Sequence, residues 1–99
     1  EFYRQPDIFI AALGEKSCDM AFEWVCGLGI EGVRAEMDFS NKSLKAQMKR
    51  ADRLAAPYVM IVGDDELKQG AAILRNMQTK EQQSILFKDI VEKVKSIVR

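Results

Sequence analysis

Asp7–Leu13 reads DIFIAAL, and Tyr58–Val62 reads YVMIV. Both are unbroken apolar runs of strand length. A strand with one wet face alternates apolar and polar residues, whereas one that is apolar at every position is covered on both faces. The two runs therefore predict two central strands of a sheet packed between layers of helix. Working outward from the first, Ser17 follows Gly14-Glu15-Lys16 and is placed to cap a helix. Cys18, Ala21, Phe22, Val25 and Cys26 then recur at helical spacing, with Gly27 and Gly29 expected to stop the helix. Met20, Trp24 and Leu28 make a second apolar stripe, four residues apart at each step. A helix apolar on nearly two faces is expected to meet more than its own sheet, and this stripe is the candidate surface for a neighbouring domain or subunit.

Val33–Phe39 alternates: Val33, Ala35, Met37 and Phe39 share one side, and Arg34, Glu36 and Asp38 share the other. That pattern predicts a half-exposed edge strand with Phe39 in the core. Ser40 or Asn41 is expected to cap the next helix, running to about Ala55 and ended by Pro57. At about 100° per residue, Leu44, Met48, Ala51 and Ala55 fall within an arc of about 60° that predicts the core face. Lys42, Lys45, Lys49 and Arg53 occupy the opposite side as a basic stripe, with Arg50 just off it. Beyond the second apolar strand comes an acidic turn, Gly63-Asp64-Asp65-Glu66-Leu67, closed by Gly70. Ala71–Met77 and Glu81–Phe87 read as a hairpin about Gln78–Lys80, and Asp89–Arg99 as a last helix buried along Ile90, Val91, Val94, Ile97 and Val98. The order is strand, helix, strand, helix, strand, strand, strand, helix. It predicts an α/β fold: a three-layer α/β/α sandwich on a mixed five-stranded sheet, with helices placed on both faces by right-handed crossovers.

Ninety-nine residues suit one domain, here residues 7–99 after a linker remnant at 1–6. The apolar content of 47% is too high for a disordered tail. Fifteen basic and fifteen acidic residues cancel, so a charged partner must be chosen by local patches. The absence of histidine removes the Ser-His-Asp arrangement and most zinc ligand sets. Cys18 and Cys26, if on one helix, lie about 12 Å apart, too far for a disulfide. They are expected to be reduced, buried thiols of a cytoplasmic protein. No apolar run approaches the roughly 18–20 residues of a membrane span. The chain is expected to be one domain of a longer cytosolic protein.

Gly14-Glu15-Lys16-Ser17 lies where phosphate loops lie, but Glu15 separates glycine from lysine and the earlier glycine of that motif is missing. Gly27, Gly29 and Gly32 follow a helix rather than open one, against a dinucleotide site. Asp64, Asp65 and Glu66 are adjacent, whereas a calcium loop spaces its oxygens at alternate positions. One of these carboxylates can instead accept the two neighbouring N–H groups on the pairing edge of an unstacked guanine. Four cations on one helical arc are usually a solvated face, but in a chain of zero net charge they also raise a nucleic-acid or phosphate surface, and Arg75, within an apolar strand, points to solvent or a ligand.

Asp38-Phe-Ser-Asn-Lys-Ser-Leu-Lys-Ala-Gln-Met-Lys-Arg-Ala-Asp-Arg, Ala56-Pro-Tyr-Val-Met-Ile-Val-Gly-Asp-Asp-Glu-Leu and Gly70-Ala-Ala-Ile-Leu-Arg-Asn-Met together resemble the C-terminal anticodon-binding domain of class II aminoacyl-tRNA synthetases. Within that group, the segment from Ser43 to Asp52 is most similar to bacterial-type histidyl-tRNA synthetases. The resemblance covers Asp7 to the final helix and implies the sandwich fold predicted above. It implies that the domain holds the anticodon loop of a tRNA, with Glu66 reading a base and Arg75, nine residues on, contacting a base or phosphate. The guanines of the histidine anticodon suit a carboxylate acceptor. Lys42, Lys45 and Lys49 would lie near the tRNA backbone, with Asn41 and Arg34 as weaker carry-overs. It also implies a catalytic domain elsewhere in the protein that joins histidine to tRNA with ATP and magnesium, a homodimer, and no cofactor or catalytic residue in this chain. The alternatives are a regulatory or scaffold domain of the same fold that does not aminoacylate, and the anticodon domain of a threonyl, prolyl or glycyl relative. A free-standing enzyme has no activated nucleophile or metal cluster to rest on.

Overall fold

The computed structural model describes residues 5–40 and 42–98. Five strands, β1 (Ile8–Ala12), β2 (Ala35–Met37), β3 (Tyr58–Val62), β4 (Ala71–Asn76) and β5 (Gln82–Leu86), form one sheet in the order β2-β1-β3-β4-β5. β1 runs parallel to both β2 and β3, and β3-β4-β5 is an antiparallel meander. Helices α1 (Glu15–Ile30) and α4 (Ile90–Val98) cover one face, α2 (Leu44–Arg53) covers part of the other, and the short α3 (Asp64–Gln69) joins β3 to β4. This is the mixed five-stranded α/β sandwich that the two apolar runs predict. β1 is buried at all five positions because alternate residues enter opposite cores. Ile8, Ile10 and Ala12 pack with Leu28, Trp24, Ile90 and Val94, while Phe9 and Ala11 pack with Ala51, Ala56 and Val59.

Several local expectations are corrected. α1 passes through Gly27 and Gly29, because a glycine inside a helix only weakens it by about 1 kcal/mol and tertiary packing outweighs that. Gly27 instead admits α4: a Cβ there would lie 3.2 Å from Val91 Cγ2. Gly14, at φ 96°, precedes α1, and Ser17 is buried inside the helix rather than capping it. The Met20, Trp24, Leu28 stripe is not an external surface. α4 and the turn before it cover it, with the Trp24 and Phe87 rings 5.2 Å apart and Trp24 only 8% exposed. The two cysteines share α1 and are free, but Cys26 is exposed and Cys18 only half-buried.

β2 ends at Met37, so the alternation read through Phe39 stops two residues early. Asp38 turns inward and Phe39 is 70% exposed, its ring against Phe22 at 6.0 Å. α2 is capped by Ser43, whose hydroxyl accepts the Ala46 N–H at 3.2 Å, not by Ser40; Asn41 lies outside the described residues. Its buried face is Gln47 and Ala51, with Leu44 and Ala55 exposed. The acidic turn is the first turn of α3, where carboxylates favour the positive helix end. At the amino end Pro6 is buried and Gln5 Nε2 donates to the Ala55 carbonyl, so residues 5 and 6 of the expected linker lie against the domain.

Candidate nucleic-acid interface

The ordering of α2 begins with Gln47. An amide on the core face must find partners, and Gln47 Nε2 donates at 2.8 Å to the Ala12 carbonyl at the end of β1 and at 2.8 Å to the Lys42 carbonyl. The helix is thereby fixed to the sheet with Lys45, Lys49 and Arg53 exposed on its outer side; Lys42, expected on the same stripe, is exposed but lies before the Ser43 cap, outside the helix. Arg50, just off that stripe, is used internally. Its Nη1 lies 3.6 Å from Oδ2 of the buried Asp38. The Ser40 hydroxyl and backbone N–H both donate to Asp38 Oδ1, the latter at 2.9 Å. These Ser40 bonds, with smaller help from Arg50 and Lys42, hold the Asp38 carboxyl below its usual range despite burial.

Glu66 sits at the third position of α3. Its Oε1 accepts the Gly63 backbone N–H at 2.8 Å, the reach-back half of a capping box. The side chain is half-buried, and its second oxygen makes no hydrogen bond or ion pair among the described residues. Gly70, in the left-handed region at φ 70°, ends α3 by donating to the Glu66 carbonyl at 2.8 Å. Arg75 lies on β4 opposite Val59 of β3 and Gln82 of β5. Four residues of extended chain, about 13 Å, separate Val59 from Gly63. Glu66 and Arg75 thus flank the same strand pair from different levels, and no ion pair joins them. Each carries unspent capacity. Among the described residues Arg75 Nε is enclosed without a partner, and its Nη1 makes one long contact, 3.5 Å, with Gln82 Oε1.

The sheet face around Arg75 is the one α2 covers only in part. Phe9, Ala11 and Val59 are buried beneath the helix, while Ile73, Arg75, Gln82, Ser84 and Leu86, on the same side farther out, are half or fully exposed. An open floor of sheet therefore lies beside a basic helix. Apolar side chains and a guanidinium on that floor can take unstacked bases, and the lysines beside it can take phosphates. Gln82 was not among the residues that sequence singled out. Its only signal is the hairpin register, which places it opposite Arg75. Arg34 is not brought to this floor. It lies at the start of β2, the far edge of the sheet, where its backbone N–H donates to Asp7 Oδ2 at 2.9 Å. Among the described residues no group of three or more Cys, Asp or Glu is arranged to hold a metal ion, and no helix is long and apolar enough to cross a membrane.

Residues 7–97 match the family described as "Anticodon binding domain". The histidine–tRNA ligase of Desulfatibacillum aliphaticivorans is 46% identical over 98 residues, 99% of this chain and 23% of the relative. That of Geobacter sulfurreducens is 53% identical over 78 residues, 79% of this chain and 19% of the relative. Among solved structures, apo S. aureus histidyl-tRNA synthetase superposes with a TM-score of 0.86 at 33% identity, over 92% of this chain and 23% of that one. A Nostoc histidyl-tRNA synthetase shares the fold with a TM-score of 0.83 at 19% identity, over 97% of this chain and 23% of that one. The chain thus spans about a quarter or less of the length of these relatives.

Proposed function

The chain belongs to the anticodon-binding domain family, and we propose that it is the anticodon-recognition part of a histidine–tRNA ligase, holding the anticodon loop of tRNA(His) while a catalytic domain outside this chain attaches histidine. The observation that carries this reading is the open β4–β5 floor, with Arg75 under-partnered upon it and the basic side of α2 alongside. Glu66 offers its unspent oxygen to the paired N–H donors of a splayed guanine. Arg75 contacts a neighbouring base or phosphate. Lys45 and Lys49 on α2 and Lys42 just before its Ser43 cap meet the backbone, and Asn41, outside the described residues, is assigned with them. Arg34 has the weakest claim, being at the other edge of the sheet.

In this reading the chain does no chemistry itself. It selects and orients the tRNA, and the catalytic domain supplies the ATP- and magnesium-dependent ligation in a cytoplasmic homodimer. Zero net charge fits that division, since base contacts carry selection and phosphate contacts elsewhere in the enzyme carry much of the affinity. Filter binding of the chain to a panel of anticodon stem-loops tests the reading. The histidine stem-loop is expected to bind tightest, and equal affinity across the panel would overturn it.

A further inference from the structure

On the sheet face that α2 leaves open, three cross-strand pairs of β4 and β5 follow one another: Arg75 with Gln82, Ile73 with Ser84, and Ala71 with Leu86. Successive pairs on one face are two residues, about 7 Å, apart. Ala71 is buried and Ile73 half-buried, while Ser84 is exposed and Leu86 is 50% exposed. The middle pair is thus a low step between a polar pair and an apolar one. A base laid flat over Ile73 and Ser84 covers apolar surface and brings its edge to Gln82. What that edge meets is set by Arg75. A guanidinium has donors only, whereas an amide has one accepting end and one donating end. Gln82 Oε1 faces Arg75 Nη1 at 3.5 Å, and the reverse orientation would set N–H against N–H. The contact is long, so the cation orients the amide by charge more than by a bond. The donating end, Nε2, is left unspent: it makes no hydrogen bond among the described residues, and the side chain is exposed.

We propose that Gln82 is a specificity-determining residue of this floor: oriented by Arg75, its Nε2 donates to the carbonyl oxygen of a base lying over Ile73 and Ser84, and so selects a keto base, guanine or uracil, over an amino base, adenine or cytosine. The inference rests on the reading of the floor as the anticodon surface. Guanine O6 and uracil O4 accept at the place where adenine N6 and cytosine N4 donate. An amino base there sets donor against donor, with Arg75 preventing the amide from turning to present its oxygen. The base is not the one assigned to Glu66. Glu66 Oε1 is bound at Gly63, about 13 Å along β3 from the level of Val59 and Arg75, and Gln82 lies two strands, about 9–10 Å, across from β3.

Filter binding of the full-length protein that carries this chain tests the assignment, with histidine anticodon stem-loops in which each keto base is exchanged in turn for its amino counterpart, guanine for adenine and uracil for cytosine. In the parent, the exchange at the position Gln82 reads is expected to cost about ten-fold in affinity. Gln82→Ala is expected to bring that cost within about two-fold and to leave the cost at the position read by Glu66. Gln82→Glu pairs with Arg75 and offers an acceptor to the base, so it is expected to prefer the amino base at that one position. A structural role alone would weaken every stem-loop equally and move no preference. Uniform weakening, or the parent's pattern retained in both variants, overturns the proposal while a selective parent leaves the anticodon reading standing. Flattening at the position where Glu66→Gln acts also overturns it, since that puts both residues on one base. A parent indifferent to every exchange sinks the anticodon reading and the assignment of Gln82 together.

Discussion

Glu66 Oε1 lies 2.8 Å from the Gly63 backbone nitrogen, so the carboxylate assigned to read a base is already half engaged in starting its own helix. The two roles separate by substitution. Gln keeps the reach-back acceptor but loses the charge and replaces one acceptor oxygen with a donor; Ala loses everything. Glu66→Gln is expected to leave unfolding within about 0.5 kcal/mol of the parent, while Glu66→Ala costs about 0.5–1 kcal/mol of stability. Both are expected to weaken the histidine stem-loop by about 1–3 kcal/mol, the loss of one good base contact. Denaturant titration and filter binding read the two effects. An unchanged affinity in the Gln variant would leave Glu66 a capping residue only.

Lys45 and Lys49 project from the outer side of α2 and have no ion-pair partner among the described residues. Neutralising both, as Lys45→Gln/Lys49→Gln, is expected to lower the slope of log affinity against log salt by up to about 1.4 if each touches one single-stranded phosphate. Preference among stem-loops is expected to survive, because phosphate contacts carry no sequence. An unaltered slope would remove the stripe from the interface.

The unbroken apolar runs at β1 and β3 made the sheet legible, since only a strand between two layers needs an apolar residue at every position. The hairpin followed from its short turn, but its register, with Arg75 opposite Gln82, did not. What the alternation at Val33–Phe39 could not show is where β2 stops: Asp38 is polar in either reading, and only its Ser40 and Arg50 partners turn it inward. Phe39 is exposed for the same reason. Trp24 and Leu28 were placed on an outer face because the helical wheel does not reveal how far α4 folds back over α1. At the candidate interface, Glu66, Arg75 and the lysines were visible as residue types. The Glu66 cap, the floor left open around Arg75, and Gln82 opposite it needed the third dimension.

Asp38 gives the domain a pH signature. Its folded carboxyl is held below the unfolded value, first by Ser40 and then by Arg50 and Lys42. A depressed acid stabilises the fold above the unfolded pKa, and that contribution fades as pH falls through the folded one. Asp38→Asn is therefore expected to be less stable than the parent at pH 7, with the gap closing as pH drops below about 4. Chemical denaturation across that range checks it. A gap independent of pH would assign the loss to packing and hydrogen bonding rather than to charge.

Ala55 ends α2 in the left-handed region, at φ 58°. Its N–H donates to the Asp52 carbonyl at 3.0 Å and the Ala56 N–H to the Ala51 carbonyl at 3.1 Å, the paired bonds of a Schellman stop. Glycine is the usual residue at that position because a Cβ there crowds the carbonyl. The stop, rather than Pro57 two residues on, turns the chain into β3 and sets the end of the basic helix. Ala55→Gly relieves the crowding but frees the unfolded backbone, so the net expectation is a gain of about 0.5–1 kcal/mol. Stem-loop affinity is expected to stay level, since Ala55 lies past the lysines. A loss of stability would mean that the Ala55 methyl packs usefully against the residues before β1, where Gln5 meets its carbonyl.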